Sequence, residues 1–449
     1  MKVAKFGGTS LANAEQIKKV CEIVLADRER RVVVVSAPGK RDKEDTKVTD
    51  LLIACANKQL KDGSAKAELD AVVARYEEIA KELGLGNEIV DMIRTDLENR
   101  LKLDTSHQGM FMDAMKASGE DNSAKLVAAY LQSIGENAHY ICPKKIGLLL
   151  SSEFGNAQVL PESYENLKAL KDMEGILIFP GFFGYTREGS VATFPRGGSD
   201  ITGSILAAAL NVDLYENFTD VDSVYAANPN IIKNPQAIPE LTYREMRELS
   251  YAGFSVLHEE TLVPVFRAGV PVCIKNTNNP SAPGTKISLT REFAPNKVVG
   301  VASDSGFCCI YVSKFLMNRE IGFGRKLLQI LEDEGISYEH TPSGIDNISI
   351  ILKQNQLKEG MEEKIIERIK NELHVDDISV EHDLALIIIV GEGMKNAVGT
   401  ASRATTAIAK TSISLEMINQ GSSEITMMFA VKQTKASEAV VALYNEFFK

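Results

Sequence analysis

Val3 and Phe6 open the chain as a short apolar strand. Leu11, Ile17, Val20, Cys21 and Val24 then recur on one helical face over 11–25, with Lys18, Lys19 and Glu22 opposite. Arg31 introduces a four-valine run, 32–35, of the kind buried on both faces of a sheet, and Ser36-Ala37-Pro38-Gly39 ends it. A charged loop leads to a helix starting near Thr49. Helical spacing returns over 67–83 through Leu69, Val72, Val73, Tyr76, Ile79 and Leu83, and over 87–101 through Ile89, Ile93 and Leu97. The charges of this helical pair read as a solvated outer face without chemistry. Ser118-Gly119-Glu120 precedes a helix over 124–131. Strand signals follow at 139–142, 147–150 and 176–180, then a helix at 204–210 and a strand from 214. Helices and strands in this order predict an α/β fold whose mainly parallel central sheet is covered by helices on both faces. Ligands of such sheets bind beyond the carboxyl ends of the strands.

After Pro295 the pattern changes to short strands and helices, and it repeats at an offset of 77 residues. Gly322 pairs with Gly399, Ile336-Ser337-Tyr338-Glu339 with Ile413-Ser414-Leu415-Glu416, and 348–352 with 425–429. Each copy reads βαββαβ. One copy has too little sheet to stand comfortably alone, so the two are expected to pack together.

At 449 residues the chain is too long for one core. A net charge of −11 argues against a broad nucleic-acid or anionic-membrane surface. The six cysteines have neither metal-site nor CxxC spacing, which points to reduced thiols. The longest apolar run, 384–390, is far short of a bilayer span, and the start of the chain lacks a secretory apolar core. The expectation is a soluble cytoplasmic protein with no nucleic-acid and no membrane partner.

Three stretches carry candidate chemistry. Lys5-Phe6-Gly7-Gly8-Thr9-Ser10 sets two glycines between a strand and a helical pattern, where bare amides and a lysine suit phosphate oxygens. A tight turn with an exposed lysine fits the same six residues. Phe194-Pro195-Arg196-Gly197-Gly198-Ser199-Asp200 again brings two glycines to a helix start, now with the forked donor suited to a carboxylate; Asp200 by itself reads as a helix cap. Thr219-Asp220-Val221-Asp222-Ser223-Val224-Tyr225 ends a buried strand in acids and hydroxyls, either a polar rim for a nucleotide or metal or an aspartate-capped turn.

These stretches, with Gly-Phe-Phe-Gly at 181–184 and Asn-Pro…Gly-Thr within 279–285, occur in the order found in the aspartate kinases, and the chain resembles that branch of the amino acid kinase family from Val3 onwards. The tandem repeat is similar to ACT domains, which are ferredoxin-like. The resemblance implies a catalytic domain over 1–290 and regulatory modules over 300–380 and 381–449. The implied reaction moves the γ-phosphoryl group of ATP, with Mg²⁺ carried by the nucleotide, to the side-chain carboxylate of L-aspartate. It implies that Lys5, Phe6, Gly7 and Gly8 hold the transferring phosphate, and that Thr49, Glu120, Arg196, Gly197, Gly198 and Ser199 surround aspartate. Thr219, Asp220, Tyr225, Asn230 and Ser255 fall at nucleotide positions. The resemblance implies that Lys5 and Asp200 are the catalytic pair, Asp200 orienting Lys5 or ligating Mg²⁺ indirectly and not accepting a proton, with no direct metal ligand expected from the chain. An amino-acid effector, lysine or threonine, would sit among Met317, Gly322, Phe323 and a second strand at Ser337, Tyr338 and Glu339; Glu339 favours lysine, whose ammonium it would meet. ACT modules pair sheet to sheet, which implies a homodimer or tetramer. Two alternatives stand beside this reading: another carboxylate kinase of the same family, and a catalytically weak amino-acid sensor.

Two cations that the resemblance leads one to expect near the nucleotide are replaced, by Asn230 and by Ser255. The departure predicts weak nucleotide affinity. Ser255→Lys is expected to lower the Michaelis constant for ATP in a steady-state assay; an unchanged constant would mean that another group already does that work.

Overall fold

The computed structural model describes residues 1–449 apart from 255, 258, 293–296 and 422–424. It divides into two compact units. The first comprises Met1–Val224, Ala237–Ser250 and Ser255–Arg291, and the second Tyr225–Gln236, Tyr251–Phe254 and Glu292–Lys449.

The first unit opens with β1 (Lys2–Phe6), α1 (Ala14–Leu25) and β2 (Arg30–Val35). Four helices follow: α2 (Val48–Asp62), α3 (Lys66–Glu82), α4 (Asn87–Leu101) and α5 (Gln108–Ser133). Next come β3 (Ala138–Tyr140), α6 (Pro143–Ile146), α7 (Glu162–Asn166) and β4 (Ile176–Pro180). A small hairpin, β5 (Phe183–Tyr185) and β6 (Val191–Thr193), leads into α8 (Gly198–Leu210) and β7 (Leu214–Thr219). After the short β8 (Val224–Tyr225) and β9 (Ala237–Ile238), β10 (Glu240–Thr242), α9 (Tyr243–Tyr251), α10 (Val263–Ala268), β11 (Val272–Asn276) and β12 (Thr285–Ser288) complete the sequence.

Eight strands form one sheet in the order β10-β12-β11-β7-β1-β2-β4-β3. From β11 to β3 every pairing is parallel, and only β12 and its neighbour β10 run the other way. Strand alternation therefore divides the central residues between two faces. Ala4 and Phe6 enter an apolar core with Val33, Val35, Leu52 and Phe218, and Phe6 stacks on Phe218 with ring centroids 4.7 Å apart. Lys5 faces the other way, towards α8. β1 sits mid-sheet, so its carboxyl end lies among those of β2, β4, β7 and β11.

The helix expected at 124–131 is the last third of α5, and Ser118-Gly119-Glu120 is not a loop before it but the buried middle of one continuous helix. The amphipathic pattern failed there because α5 is buried nearly all round and shows no apolar stripe. Gly119 is what permits the depth: a Cβ on it would lie 2.8 Å from the Cβ of Ala37. The strand expected at 147–150 is reduced to two isolated bridges at Leu149 and Leu150.

The second unit holds β13 (Gly300–Ser313), α11 (Phe323–Asp333), β14 (Asn347–Lys353), α12 (Met361–Leu373), β15 (Asp377–Val390), α13 (Thr400–Ala409), β16 (Met417–Asn419), β17 (Thr426–Lys432) and α14 (Ala436–Phe448). Its sheet has the order β14-β13-β15-β17-β16 and every pairing is antiparallel. The repeat is realised as an internal pseudo-two-fold. β13 and β15 pair along their full length, from Gly300 opposite Val390 to Ser313 opposite Asp377, with irregular register around Gly306. Each long strand thus serves both halves of the repeat. Matched clamps sit on either side of the pseudo-axis. Gln433 accepts the Gly306 N–H at 3.2 Å and Gln354 accepts the Asp383 N–H at 3.0 Å, while Lys353 pairs with Asp304 and Lys432 with Glu381.

Ser337, Tyr338 and Glu339, expected as a strand, form no regular strand. The segment meets the edge of β14 through the Glu339 N–H on Ile351 O at 2.8 Å and through an isolated bridge at His340. Pro342, which has no N–H to give, interrupts the ladder. Among the described residues no helix is long and apolar enough to cross a membrane.

Candidate active site

The glycine corner after β1 is bound into the strand ends on both sides. Gly7 donates its N–H to Phe218 O at 3.2 Å, and Gly8 O accepts the Gly39 N–H at 2.8 Å. Gly39 lies so close that a Cβ there would come within 2.5 Å of the Gly8 carbonyl carbon. A buried hydrogen bond of 2.7 Å joins the hydroxyls of Ser10 and Thr277, tying the corner to the end of β11. No side chain caps the short helical turn Gly8–Leu11 that begins here.

The second corner interlocks with the end of β4. A Cβ on Gly181 would lie 2.7 Å from that of Ser199, and one on Gly198 would strike the ring of Phe182 at 2.5 Å. Phe182 itself has φ 76°, a conformation that non-glycine side chains avoid, and its N–H is held by the Thr202 hydroxyl at 2.9 Å. Gly197, at φ 82°, turns the chain into α8, and Arg196 stands exposed just before it.

The two corners meet through charge. Lys5, with only 8% of its side chain exposed, forms an ion pair with Asp200 in the first turn of α8. The Asp200 carboxylate also accepts the Asn217 amide at 2.7 Å, and the Tyr215 hydroxyl donates to its backbone carbonyl at 3.1 Å. Asp200 is therefore not the cap of α8; the capping residue is Gly197, with no side-chain bond. Asn217, on the α8 face of β7, carries no local sequence signal beyond standing two residues before Thr219 at the end of the same strand.

Glu120 is the third component. It is buried on α5 and its Oε2 has no hydrogen-bond partner. Burial pushes its carboxyl up to about 8, against the opposing pull of the Ala37 backbone and the positive charges of Lys47 and Lys5. Thr49 is half-buried in the first turn of α2. Lys5, Asp200 and Glu120 thus share one electrostatic neighbourhood at the carboxyl ends of β1 and β2, with Arg196 four residues before Asp200.

The remaining expected positions are distributed. Thr219 donates its hydroxyl to Asp220 at 3.2 Å, and its carbonyl accepts the Thr277 N–H at 3.0 Å. Asp222 accepts from the amides of Asn276 and Asn279 at 2.7 and 3.3 Å. Tyr225 and Asn230 belong to the second unit, and Ser255 lies outside the described residues. Also in the second unit, Met317 and Phe323 are buried in an apolar core beneath the turn at Gly322, while Tyr338 is exposed. Ser337 is held by Gln356 at 2.9 Å, and Glu339 accepts a hydrogen bond from the Tyr251 hydroxyl. No group of three or more metal-ligating side chains occurs among the described residues, and all six cysteines are free.

Residues 1–276 match the model of the amino acid kinase family. The chain belongs to that family. Residues 387–447 match an ACT domain. Among curated relatives, "Aspartokinase 3" of Bacillus subtilis (strain 168) is 59% identical over 448 residues, covering all of this chain and 99% of its own. The crystal structure of Clostridium acetobutylicum aspartate kinase has a TM-score of 0.88 at 38% identity, with full coverage of both chains. E. coli aspartokinase III is similar over the full length of both chains in two complexes. With aspartate and ADP (R-state) it has a TM-score of 0.82 at 26% identity, and with lysine and aspartate (T-state) 0.76 at 25%. The activity of this family member is that of an aspartate kinase, an ATP-dependent phosphotransferase with a carboxyl acceptor.

The Glu120 environment has a measurable consequence. Between its ordinary carboxyl range and about 8, the folded chain holds a proton that the unfolded chain releases, so this group lowers stability as pH rises through that window. Glu120→Gln, which cannot ionise, is expected to melt higher than the parent, by a margin that widens by at least about 2 °C between pH 6 and pH 9 without aspartate. A margin that stays constant in a thermal scan would show that Glu120 is already ionised in the free protein.

Proposed function

We propose that the two glycine corners and Glu120 form a single site in which Mg²⁺-bound ATP and L-aspartate meet. Lys5 and the Gly7-Gly8 amides take the phosphate being transferred, with Phe6 stacked beneath. Arg196 forks onto an aspartate carboxylate beside Gly197, Gly198 and Ser199, and Glu120 takes the ammonium group with Thr49 nearby. Thr219 and Asp220 attend the nucleotide. The observation that carries the reading is the buried, unpartnered Glu120 oxygen in the electrostatic reach of the Lys5–Asp200 pair. A buried acceptor without a donor is a costly arrangement that a cationic ligand group relieves.

The acceptor carboxylate of aspartate ionises near pH 3.9 in model peptides and needs no base at neutral pH. Its oxygen attacks the γ-phosphorus as the bond to the bridging oxygen breaks and ADP leaves. The protein's task is alignment and charge neutralisation. Asp200 fixes the Lys5 ammonium rather than accepting a proton. Magnesium enters with the nucleotide. Ionised Glu120 is the form that pairs with the substrate ammonium, so aspartate binding displaces its proton.

The segments 300–380 and 381–449 act as regulatory modules, the effector is lysine, and Glu339 meets its side chain. The E. coli relative's complex with lysine supports this choice. Phe315, Leu316, Ile321 and Ile345 are exposed apolar residues at one end of the first module, and they favour a homodimer through these modules. The product, 4-phospho-L-aspartate, stands at the start of lysine, threonine and methionine synthesis in the cytoplasm.

A coupled ADP-release assay tests the reading. Turnover is expected with aspartate and at no more than a few per cent of that rate with glutamate. Lysine should inhibit more strongly than threonine, and Glu339→Ala should relieve lysine inhibition by about tenfold in half-maximal concentration. Equal turnover with glutamate, or unchanged lysine inhibition in Glu339→Ala, would overturn the substrate or the effector assignment respectively.

A further inference from the structure

The helical pair α3–α4, which the sequence presents as a solvated outer face, sends a charged side chain inward. Arg75 on α3 is 4% exposed. Its Nη2 donates to two backbone carbonyls, Ala12 O and Gly39 O, both at 2.9 Å. Its Nη1 lies 2.9 Å from Asp45 Oδ2 as a charge contact, out of line for a hydrogen bond, and its Nε has no partner. Asp45 is in turn gripped by Arg41 at 2.8–3.0 Å; burial pushes its carboxyl up, but hydrogen bonds from the Arg41 backbone and side chain, with the charge of Arg41, hold it below the usual range.

The two carbonyls are not arbitrary. Ala12 ends the helical turn that starts at Gly8, and Gly39 is the residue whose N–H binds Gly8 O and whose backbone touches Gly8. One guanidinium nitrogen therefore closes a loop of contacts around the glycine corner: Gly8 to Gly39, Gly39 to Arg75, Arg75 to Ala12. The next residue on the helix reaches elsewhere. The Tyr76 hydroxyl donates to Gly119 O at 2.8 Å, beside Glu120. Consecutive side chains of α3 thus brace opposite halves of the site. Burying a guanidinium against two carbonyls costs desolvation that a solvated helix would not incur, and fixing those carbonyls is the return.

We propose that Arg75 is a positioning residue for the phosphate-binding corner, holding the Gly7-Gly8 turn against the 36–39 loop so that the amides of the turn and Lys5 stay aligned on the transferring phosphate. This rests on the assignment of that corner to phosphate. Arg75 touches no reacting atom; it acts through Gly39 and Ala12.

The test compares Michaelis constants for the two substrates in the full-length enzyme. Arg75→Met is expected to raise the ATP constant at least about fivefold and to lower kcat, while the aspartate constant stays within about twofold of the parent. Arg75→Lys, which keeps the charge next to Asp45 but cannot reproduce the planar fork, should show the same selective change at about half the size on a logarithmic scale. Tyr76→Phe should leave the ATP constant unchanged. Should Arg75→Met fail to fold, Arg75→Lys decides: a parental ATP constant there overturns the proposal. An equal rise in both constants, or a Tyr76→Phe change matching that of Arg75→Met, would mean general loosening of α3 and overturns it as well. Lys5→Met separates this from the underlying assignment. If it leaves ATP use intact, the corner does not bind phosphate at all. If it abolishes turnover while Arg75→Met is parental, only the role of Arg75 fails.

Discussion

The arrangement depends on a nearly buried lysine ammonium that is kept in place by a carboxylate. Lys5 points away from the apolar core that Phe6 enters, into the space under the first turn of α8, where Asp200 meets it and Asn217 holds Asp200. A cation in such a place must be paired, and its pair must itself be fixed, or the desolvation cost is not recovered. The pair stands mid-sheet, and the loops after β2, β4, β7 and β11 converge on it. Placing an acid in the first turn also sets negative charge at the positive end of the helix. In the proposed function, incoming phosphate oxygens compete with Asp200 for a cation that is already aimed.

Close backbone approach makes the convergence possible. Gly8 against Gly39, Gly181 against Ser199, Gly198 against Phe182 and Gly119 against Ala37 are four contacts at which a methyl group would collide. Together they draw α8 against the end of β4, α5 against the loop after β2, and that loop against the corner after β1. The left-handed conformation of Phe182, held by Thr202, belongs to the same compression. Glu120 is buried by this packing. Its raised proton affinity follows from the closeness of α5 to the loop after β2, with ligand charge able to offset it.

Much of this was legible in the sequence, for local reasons. The valine run, the glycine pairs at helix starts and the alternation of strands and helices all declare themselves within about ten residues. The 77-residue repeat declared the second unit. What was not legible depends on partners distant in sequence. Asp200 reads as a cap because its true partner is 195 residues away. Glu120 reads as the lead into a helix because α5 shows no apolar stripe. Arg75 looks like one more surface charge at helical spacing, since nothing local reveals the two carbonyls that it meets. Ser337, Tyr338 and Glu339 have the composition of a strand, yet the Ser337 N–H goes to the side chain of Gln356 instead of to a strand. Nor did the repeat reveal that β13 and β15 each serve both halves, because strand pairing is settled by the whole sheet.

If Lys5 and Asp200 act as one unit on the transferring phosphate, the two side chains must be energetically coupled. A double-mutant cycle in kcat/KM for ATP, using Lys5→Met, Asp200→Asn and the double variant with folding checked by thermal denaturation, measures that coupling. Losses of about a hundredfold or more are expected for each single variant, with a double variant no worse than the poorer of the two. Losses that multiply would contradict the coupling, because they would show the ammonium and the carboxylate working independently.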